Sequence, residues 1–221
     1  MQIRSCGENA VILSVSYDNT RDAAAAVREI LGFIRRNPHP AILSVRPGLD
    51  CILMEYSDLD FIDWLKHRMS SIEVPFGQEP MPHKNFSVEV PICYDFGEDL
   101  PWISEVTGLE SEEIIRIHSS VTYEVWMLGF MPGFPYLGEL PSELQIHRKD
   151  TPNTAIPAGS VAIAEEYVGI YPFQSPGGWH VIGRTPLRIF DYQKPAPSIF
   201  DYGMKVKFIP ITTEEYERMQ Q

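Results

Sequence analysis

The sequence contains little cysteine. Its 221 residues include three cysteines, Cys6, Cys51 and Cys93, which are odd in number and widely spaced. Such a set offers neither a disulfide framework nor a CxxC metal half-site. We therefore expect the protein to work in a reducing, cytoplasmic environment.

Long apolar runs and an excess of positive charge are also missing. No stretch approaches the roughly 18 apolar residues that span a bilayer, and residues 1–6 lack the apolar run of a signal peptide. The chain has 18 Lys and Arg residues against 30 Asp and Glu residues, a net charge of −12. Because phosphate backbones and anionic membranes attract clustered Lys and Arg, we expect neither nucleic acid nor membrane as a partner.

Several signature motifs are absent as well. The six histidines show no HxH or HExxH spacing, so no metal site is expected. There is no GxxxxGKS/T phosphate-binding loop, and no GxGxxG follows a strand. Any chemistry that uses ATP must therefore involve a different kind of site or a different chain.

Hydrophobic periodicity predicts a small domain over residues 1–85. The order strand-helix-strand-strand-helix-strand matches a split βαβ, ferredoxin-like α+β unit. Residues 74–85 are rich in proline and glycine and are predicted to be the connector. The predicted elements are strands at 10–16, 41–46 and 51–56, helices at 22–35 and 58–69, and a strand from Phe86 to Val90.

Residues 86–221 have a different character. Short helices are predicted at 100–106, 112–119 and 213–221. From Val121 onward, strand-like runs alternate with glycine and proline turns. Many short strands with such turns indicate a mainly-β sandwich or barrel.

Glycine and proline are concentrated between residues 129 and 191. Proline fixes φ, and glycine permits close approach of a ligand or a second backbone, so this region suits a site with defined loops. Barrel corners require the same composition, and spacing alone leaves both interpretations open. The aromatic residues of the region can line a pocket or fill a β core; they are Phe130, Phe134, Tyr136, Tyr171 and Trp179.

Two arginines in this region, Arg148 and Arg184, are candidates for binding an anion. Arginine binds carboxylate or phosphate through two parallel hydrogen bonds. The alternative is a structural ion pair, for example with Asp191. Ser160 and Ser175 invite a nucleophile interpretation, but neither lies in a GxSxG elbow, and turn serines more often bond to the backbone.

Four segments of the sequence carry a family resemblance: IHSS at 117–120, GFMPGFPYL at 129–137, IPAGSVAIA at 156–164 and GIYPFQSPGGWHVIGRTPLRIFD at 169–191. Together they closely resemble the KipI family, also called allophanate hydrolase subunit 1, which includes the B-type chain of 5-oxoprolinase. The strong similarity covers about residues 88–210. The N-terminal part resembles the family more loosely.

The resemblance implies a cyclophilin-like β-barrel over residues 86–221 and a role as one subunit of a complex. The implied partners are a second cyclophilin-like, C-type subunit and a lactam-utilisation, A-type subunit. The implied reaction opens 5-oxoproline to glutamate, with ATP as a co-substrate bound by the complex or by this chain. We expect no activity from the chain alone. Two alternatives come with the same resemblance: a non-catalytic inhibitor of a sensor histidine kinase, and a urea carboxylase module that needs a biotinylated partner.

Within this framework Arg148 and Arg184 are the expected catalytic cations. The expected substrate contacts are in the proline and glycine loops: Pro132, Gly133, Phe134, Pro157, Gly159, Ser160, Tyr171, Ser175, Gly177, Gly178, Trp179 and Thr185. The chain departs from the family pattern at His147, Asn153 and residues 165–168, which removes a cation and two polar groups from this face.

Overall fold

The computed structural model describes residues 1–70 and 87–220. The chain divides into two compact units, Met1–Lys84 and Asn85–Gln221. The domain boundary predicted between residues 85 and 86 lies outside the described residues. So does the predicted connector at 74–85.

Residues 1–70 of the first unit form a four-stranded antiparallel sheet and two helices. The strands have the order β1-β2-β4-β3. Helix α1 begins earlier than the predicted Asp22, because the Asn19 side chain accepts the Asp22 N–H at 2.8 Å and caps the preceding turn. The elements are β1 (Gln2–Ser5), β2 (Ala10–Ser14), α1 (Thr20–Arg36), β3 (Ile42–Pro47), β4 (Cys51–Tyr56) and α2 (Asp60–Ser70).

The predicted ferredoxin-like order is not what this unit shows. The strand predicted from Phe86 to Val90 is observed over Ser87–Ile92 as β5, and it belongs to the sheet of the second unit. The edge position beside β2 is taken instead by β1, which the hydrophobic pattern did not predict. Strand β1 is short and mostly exposed, so it carries no run of buried residues that would indicate a strand.

The second unit contains seven strands in one sheet, ordered β12-β9-β10-β7-β6-β13-β5, and a separate pair, β11-β8. The helices predicted at 100–106, 112–119 and 213–221 are confirmed to within one residue at each described end. The remaining elements are α3 (Leu100–Thr107), α4 (Ser111–Ser120), β6 (Thr122–Leu128), β7 (Pro135–Gly138), β8 (Asn153–Ile156), β9 (Ser160–Ala164), β10 (Tyr167–Ile170), β11 (Ser175–Gly177), β12 (His180–Arg184), β13 (Lys205–Pro210) and α5 (Thr213–Gln220).

The seven-stranded sheet curls into a nearly closed barrel. Its edge strands are β5 and β12, and Cys93, which directly follows β5, forms a bridge with Arg184 at the end of β12. Each residue donates its backbone N–H to the carbonyl of the other at 2.9 Å. Because the bridge joins the two edges, the sheet leaves little unpaired edge. This architecture is consistent with the expected cyclophilin-like barrel.

Strand β9 separates two apolar clusters. Val161 and Ile163 lie in the large core of the second unit. The alternate residues Ala162 and Ala164 face the opposite side of the sheet, where they pack in a smaller cluster with aromatic side chains. The two-residue period of the strand therefore places an aromatic cluster on the outer face of the barrel. No helix within the described ranges is long and apolar enough to cross a membrane.

Candidate functional site

A cavity of about 230 Å³ opens beside this aromatic cluster. Three kinds of residue line it: one arginine, two prolines with two glycines, and five aromatic residues. We call it the aromatic cavity. Its lining consists of Arg148, Pro152, Pro176, Gly177, Gly178, Phe130, Phe134, Tyr136, Tyr171 and Trp179.

Phe134 is the centre of the aromatic wall. Its ring is 1% exposed and meets Tyr136, Tyr171 and Trp179 edge to face, at centroid distances of 5.2, 5.2 and 5.5 Å. Edge-to-face contacts of this kind fix ring orientation. Phe130, in contrast, is 62% exposed and stands at the lip of the cavity. The wall is therefore preformed, and the lip is open to solvent.

Arg148 provides the positive charge of the aromatic cavity. Within residues 1–70 and 87–220 no side chain forms an ion pair with it. Burial raises the pKa of the Tyr171 hydroxyl to about 12, and the Arg148 charge opposes that shift. Burial likewise raises the pKa of Tyr136, again with Arg148 acting in the opposite direction. Both hydroxyls are therefore protonated at neutral pH, so the cavity offers a cation and two neutral hydroxyl groups to a ligand.

The residues on either side of Arg148 are both held in place. His180 Nε2 donates to the His147 carbonyl at 3.0 Å, which leaves the buried Nδ1 of His180 without a partner among the described residues. Lys149 donates its backbone N–H to the Gly178 carbonyl at 2.8 Å, and its Nζ lies 2.8 Å from Asp99 Oδ2. Arg148 is thus positioned by its neighbours, while its own guanidinium remains available.

A second group of predicted residues lies where β9 meets the end of β12. Gly159 donates to the Tyr171 carbonyl at 2.7 Å, Thr185 donates to Gly159 at 2.9 Å, and Tyr171 donates to Ser160 at 2.9 Å. Gly159 has φ +80°, and a Cβ there would lie 2.5 Å from the Thr185 carbonyl oxygen. A glycine is needed at this position for both reasons. Only Tyr171 belongs to both groups, through its backbone here and its ring in the aromatic cavity.

Arg184 belongs to this second group and does not line the aromatic cavity. Its guanidinium lies 5.2 Å from the centroid of the Phe96 ring, and its charge opposes the rise that burial causes in the pKa of the Tyr216 hydroxyl. Its Nε and the Ser160 hydroxyl are buried, and neither has a hydrogen-bond partner within the described part of the chain. The structure therefore separates the two arginines that the sequence grouped together.

The other predicted site residues are distributed around these groups. Pro132 and Gly133 form the turn that precedes β7, and a Cβ on Gly133 would contact the Phe190 ring at 2.6 Å. Pro157 precedes Gly159 and accepts the Ser160 N–H at 3.3 Å. Ser175 is half-buried at the start of β11, and its hydroxyl donates to the Pro176 carbonyl at 3.2 Å.

Sequence reasoning missed the residues that hold Arg148. Asp99 precedes α3, and nothing in the sequence connects it with Lys149. Within the described residues no group of three or more His, Cys, Asp and Glu side chains could hold a metal ion. The arrangement suits binding of a small anionic ligand with a flat ring, because it pairs a cation with a rigid aromatic wall.

Fold and site together define a two-unit protein whose nearly closed barrel carries an arginine-containing aromatic cavity. The sequence matches the family described as carboxyltransferase domain, subdomain C and D, over residues 1–200, and the chain belongs to that family.

Relatives with an assigned function align with most of this chain. The chain is 33% identical to the B-type chain of 5-oxoprolinase from Bacillus subtilis (strain 168), across 97% of this chain and 95% of that protein. It is 35% identical to the corresponding 5-oxoprolinase chain of Escherichia coli O157:H7, across 92% and 93%. Urea amidolyase of Lachancea kluyveri is more distant, at 22% identity, and the chain spans 13% of it.

Solved structures share the fold. TTHA0988 has a TM-score of 0.77 and 29% identity over 95% of this chain, which spans 40% of the TTHA0988 chain. The conserved uncharacterized protein PH0987 from Pyrococcus horikoshii has a TM-score of 0.58 and 32% identity over 97% of this chain and 100% of its own.

Proposed function

We propose that the chain is the B-type subunit of an ATP-dependent 5-oxoprolinase, a heteromeric enzyme that opens 5-oxo-L-proline to L-glutamate. The observation that carries this proposal is the match to the B-type 5-oxoprolinase chains of two bacteria, which extends over more than nine-tenths of each chain. The urea amidolyases are less similar, and the chain corresponds to a small part of them. The lactam hydrolase is therefore favoured over a urea carboxylase module.

The aromatic cavity suits such a substrate. 5-Oxoproline is a small flat ring with one carboxylate, and a cavity of about 230 Å³ is smaller than typical drug-sized sites of ~300–1,000 Å³. We assign the substrate carboxylate to Arg148 and the ring to the wall formed by Phe134, Tyr171 and Trp179. Gly177 and Gly178 would leave room for the ring at the cavity edge.

In this assignment the chain binds and orients the lactam, and the complex supplies ATP. Phosphorylation of the lactam oxygen by ATP activates the ring carbon towards water. The ring C–N bond then breaks, the nitrogen takes up a proton, and a second water releases phosphate, so the products are glutamate, ADP and phosphate. The aromatic cavity is too small to hold a nucleoside triphosphate together with the lactam. We therefore place the ATP site on another subunit or at a shared interface.

The proposal includes partner subunits and a cytoplasmic location. A second cyclophilin-like, C-type subunit and a lactam-utilisation, A-type subunit would complete the enzyme, and the chain alone would be inactive. The chain spans 40% of TTHA0988, so in that protein the corresponding region is joined to a further part in one polypeptide. Cys6, Cys51 and Cys93 are all free thiols, which fits a reducing compartment.

The test is co-expression of the chain with both partner subunits, followed by an assay of 5-oxoproline-dependent ATP hydrolysis and glutamate release. We expect turnover only from the full set. In that complex Arg148→Gln should raise the KM for 5-oxoproline by about 10- to 100-fold, the usual loss for a charged hydrogen-bond pair. Arg188→Gln is the matched control, because Arg188 is 65% exposed and pairs with Asp191 outside the aromatic cavity. A complete complex that hydrolyses no ATP in response to 5-oxoproline would contradict the assignment.

A further inference from the structure

A second concave surface lies on the barrel unit, between α3 and the β9–β10 turn. It encloses about 400 Å³ and contains no residue of the aromatic cavity. Trp102 and Val106 of α3 form one side, Glu165 and Glu166 form the other, and His147 lies on the segment between them. The Glu165 N–H donates to the Ile146 carbonyl at 2.7 Å, so that segment and the β9–β10 turn are directly bonded. We call this surface the acidic groove.

The apolar side of the acidic groove is rigid and exposed. Trp102 stacks on the His180 ring with a centroid distance of 4.2 Å and an interplanar angle of 5°, yet 44% of its surface is exposed. Val106 follows one helical turn later and is 54% exposed. An indole held on one face by another ring loses little conformational entropy when a partner covers the other face. Exposed tryptophans of this kind are the residue type most often found at binding hot spots.

The negative charge of the acidic groove favours a positively charged side chain as its ligand. Glu165 and Glu166 line the groove together with Trp102, in a chain of net charge −12. The Glu165 carboxylate lies 3.3 Å from Nδ1 of the exposed His147 side chain, which also lines the groove. An indole face attracts a cation, and a carboxylate binds guanidinium through two parallel hydrogen bonds. A guanidinium on a flexible stem can contact both the indole and a carboxylate, whereas a purely apolar side chain would remove water from the Glu166 carboxylate without supplying a hydrogen-bond donor.

We propose that the acidic groove is the docking site for an arginine-bearing segment of a partner subunit in the 5-oxoprolinase complex. This inference rests on the proposed function and adds to it the surface and the chemistry of the contact. The arginine stacks on Trp102 and pairs with Glu165 and Glu166.

A partner bound in the acidic groove would also affect the aromatic cavity. His147 lines the acidic groove, while its neighbour Arg148 lines the aromatic cavity. His180, on which Trp102 stacks, donates to the His147 carbonyl at 3.0 Å. A partner that covers Trp102 and His147 therefore restrains the segment that positions Arg148. Docking at the acidic groove would therefore couple partner binding to the position of Arg148.

The test is the affinity of the purified chain for each partner subunit, measured by calorimetric titration. Trp102→Ala should weaken the affinity for one of the two partners by about 10-fold or more. The double variant Glu165→Gln, Glu166→Gln should weaken it as well. The affinity of this double variant should also depend less on salt concentration than that of the wild type, because the carboxylates that salt would screen are absent. Tyr192→Ala and Glu217→Gln serve as matched controls, since both residues are exposed and lie outside the groove. Far-ultraviolet circular dichroism of each variant verifies its fold.

The outcomes separate this inference from the proposed function. Wild-type complexes that turn over 5-oxoproline, combined with unchanged affinity of the groove variants, would overturn the docking site and leave the function standing. Variants that lose turnover but keep their affinity for both partners would show that the groove holds another ligand, which also overturns the inference. If the wild-type chain binds neither partner, both proposals are wrong.

Discussion

Lys149 Nζ lies 2.8 Å from Asp99 Oδ2, and the two side chains are only 15% and 17% exposed. The same Asp99 oxygen accepts the Val181 N–H at 2.6 Å. One carboxylate thus connects the start of α3, strand β12 and the residue next to Arg148. An ion pair this well covered is screened by water much less than the surface pairs of the chain.

Asp99→Asn tests this relationship. The amide oxygen can still accept the Val181 N–H, but the charge opposite Lys149 is lost. Removing one partner of a largely buried pair costs about 1–3 kcal/mol, so the free energy of unfolding in urea should fall by that amount. In the assembled enzyme, the KM for 5-oxoproline should rise more than kcat falls, because Arg148 is less well positioned. Glu113→Gln breaks the exposed pair with Arg116 and should change neither quantity. Equal behaviour of the two variants would contradict the positioning role.

Neighbouring glycines at the cavity edge give a second prediction. A Cβ on Gly177 would collide with the Tyr171 hydroxyl and lie 2.8 Å from Ile156 Cδ1, whereas one on Gly178 has nothing closer than the Lys149 carbonyl oxygen at 3.6 Å. Gly177→Ala should therefore displace the Tyr171 ring, lower the free energy of unfolding by about 1–3 kcal/mol and weaken lactam binding. Gly178→Ala should leave the free energy of unfolding unchanged, because its Cβ has space in the folded chain. Thermal melts of the two variants check the expectation, and equal losses of stability at the two positions would refute it.

The aromatic cavity was partly predictable from sequence because its composition is local. Gly177, Gly178 and Trp179 are consecutive, and the prolines and glycines around them indicate shaped loops without any knowledge of pairing. Arg148 could be named as a candidate because arginine near such loops suits an anion. The structure brings these residues together in one cavity.

What could not be predicted depends on pairing between distant segments. The alternation of Val88 and Val90 fits an edge of any sheet, and only the parallel register with Val206 and Phe208 assigns β5 to the barrel. The Asp99–Lys149 pair likewise joins residues far apart in the chain, with no local spacing to reveal it. Arg184 was grouped with Arg148 by composition, but the closure of the barrel places it beside Cys93. Its catalytic role stays a prediction.

The two arginines should therefore respond differently to substitution. Arg184 lies against the Phe96 ring, and its charge acts on the hydroxyl of Tyr216 in α5, so Arg184→Ala should lower the free energy of unfolding by about 1–2 kcal/mol. Arg148→Ala should leave stability within about 0.5 kcal/mol of the wild type, since its guanidinium is exposed. Urea titrations monitored by tryptophan fluorescence measure both. Lost turnover with unchanged stability in Arg184→Ala would instead support a catalytic role for Arg184.

His118 predicts how stability depends on pH. Its ring is fully buried, with Nδ1 2.7 Å from the Tyr94 hydroxyl and the Phe208 ring centroid 4.6 Å away, and this burial lowers its pKa to about 3. An unfolded histidine titrates near pH 6.5. As the pH falls from 6.5 towards 3, His118 binds a proton in the unfolded chain but stays neutral in the folded chain. His118 therefore favours folding above pH 6.5, and that contribution is lost on acidification through this window, by an upper bound on the order of 5 kcal/mol.

His118→Gln removes the titrating group while retaining a polar side chain, so the two proteins are compared by the slope of stability against pH. We expect the wild type to lose stability more steeply than the variant between pH 6.5 and pH 4, because only the wild type carries the proton uptake of an unfolded residue 118. Other acidic groups titrate in both proteins and cancel in the difference. Urea midpoints at half-unit pH intervals give the two profiles. Parallel profiles across this window would show that His118 is protonated in the folded barrel, which its aromatic surroundings and single hydroxyl partner argue against.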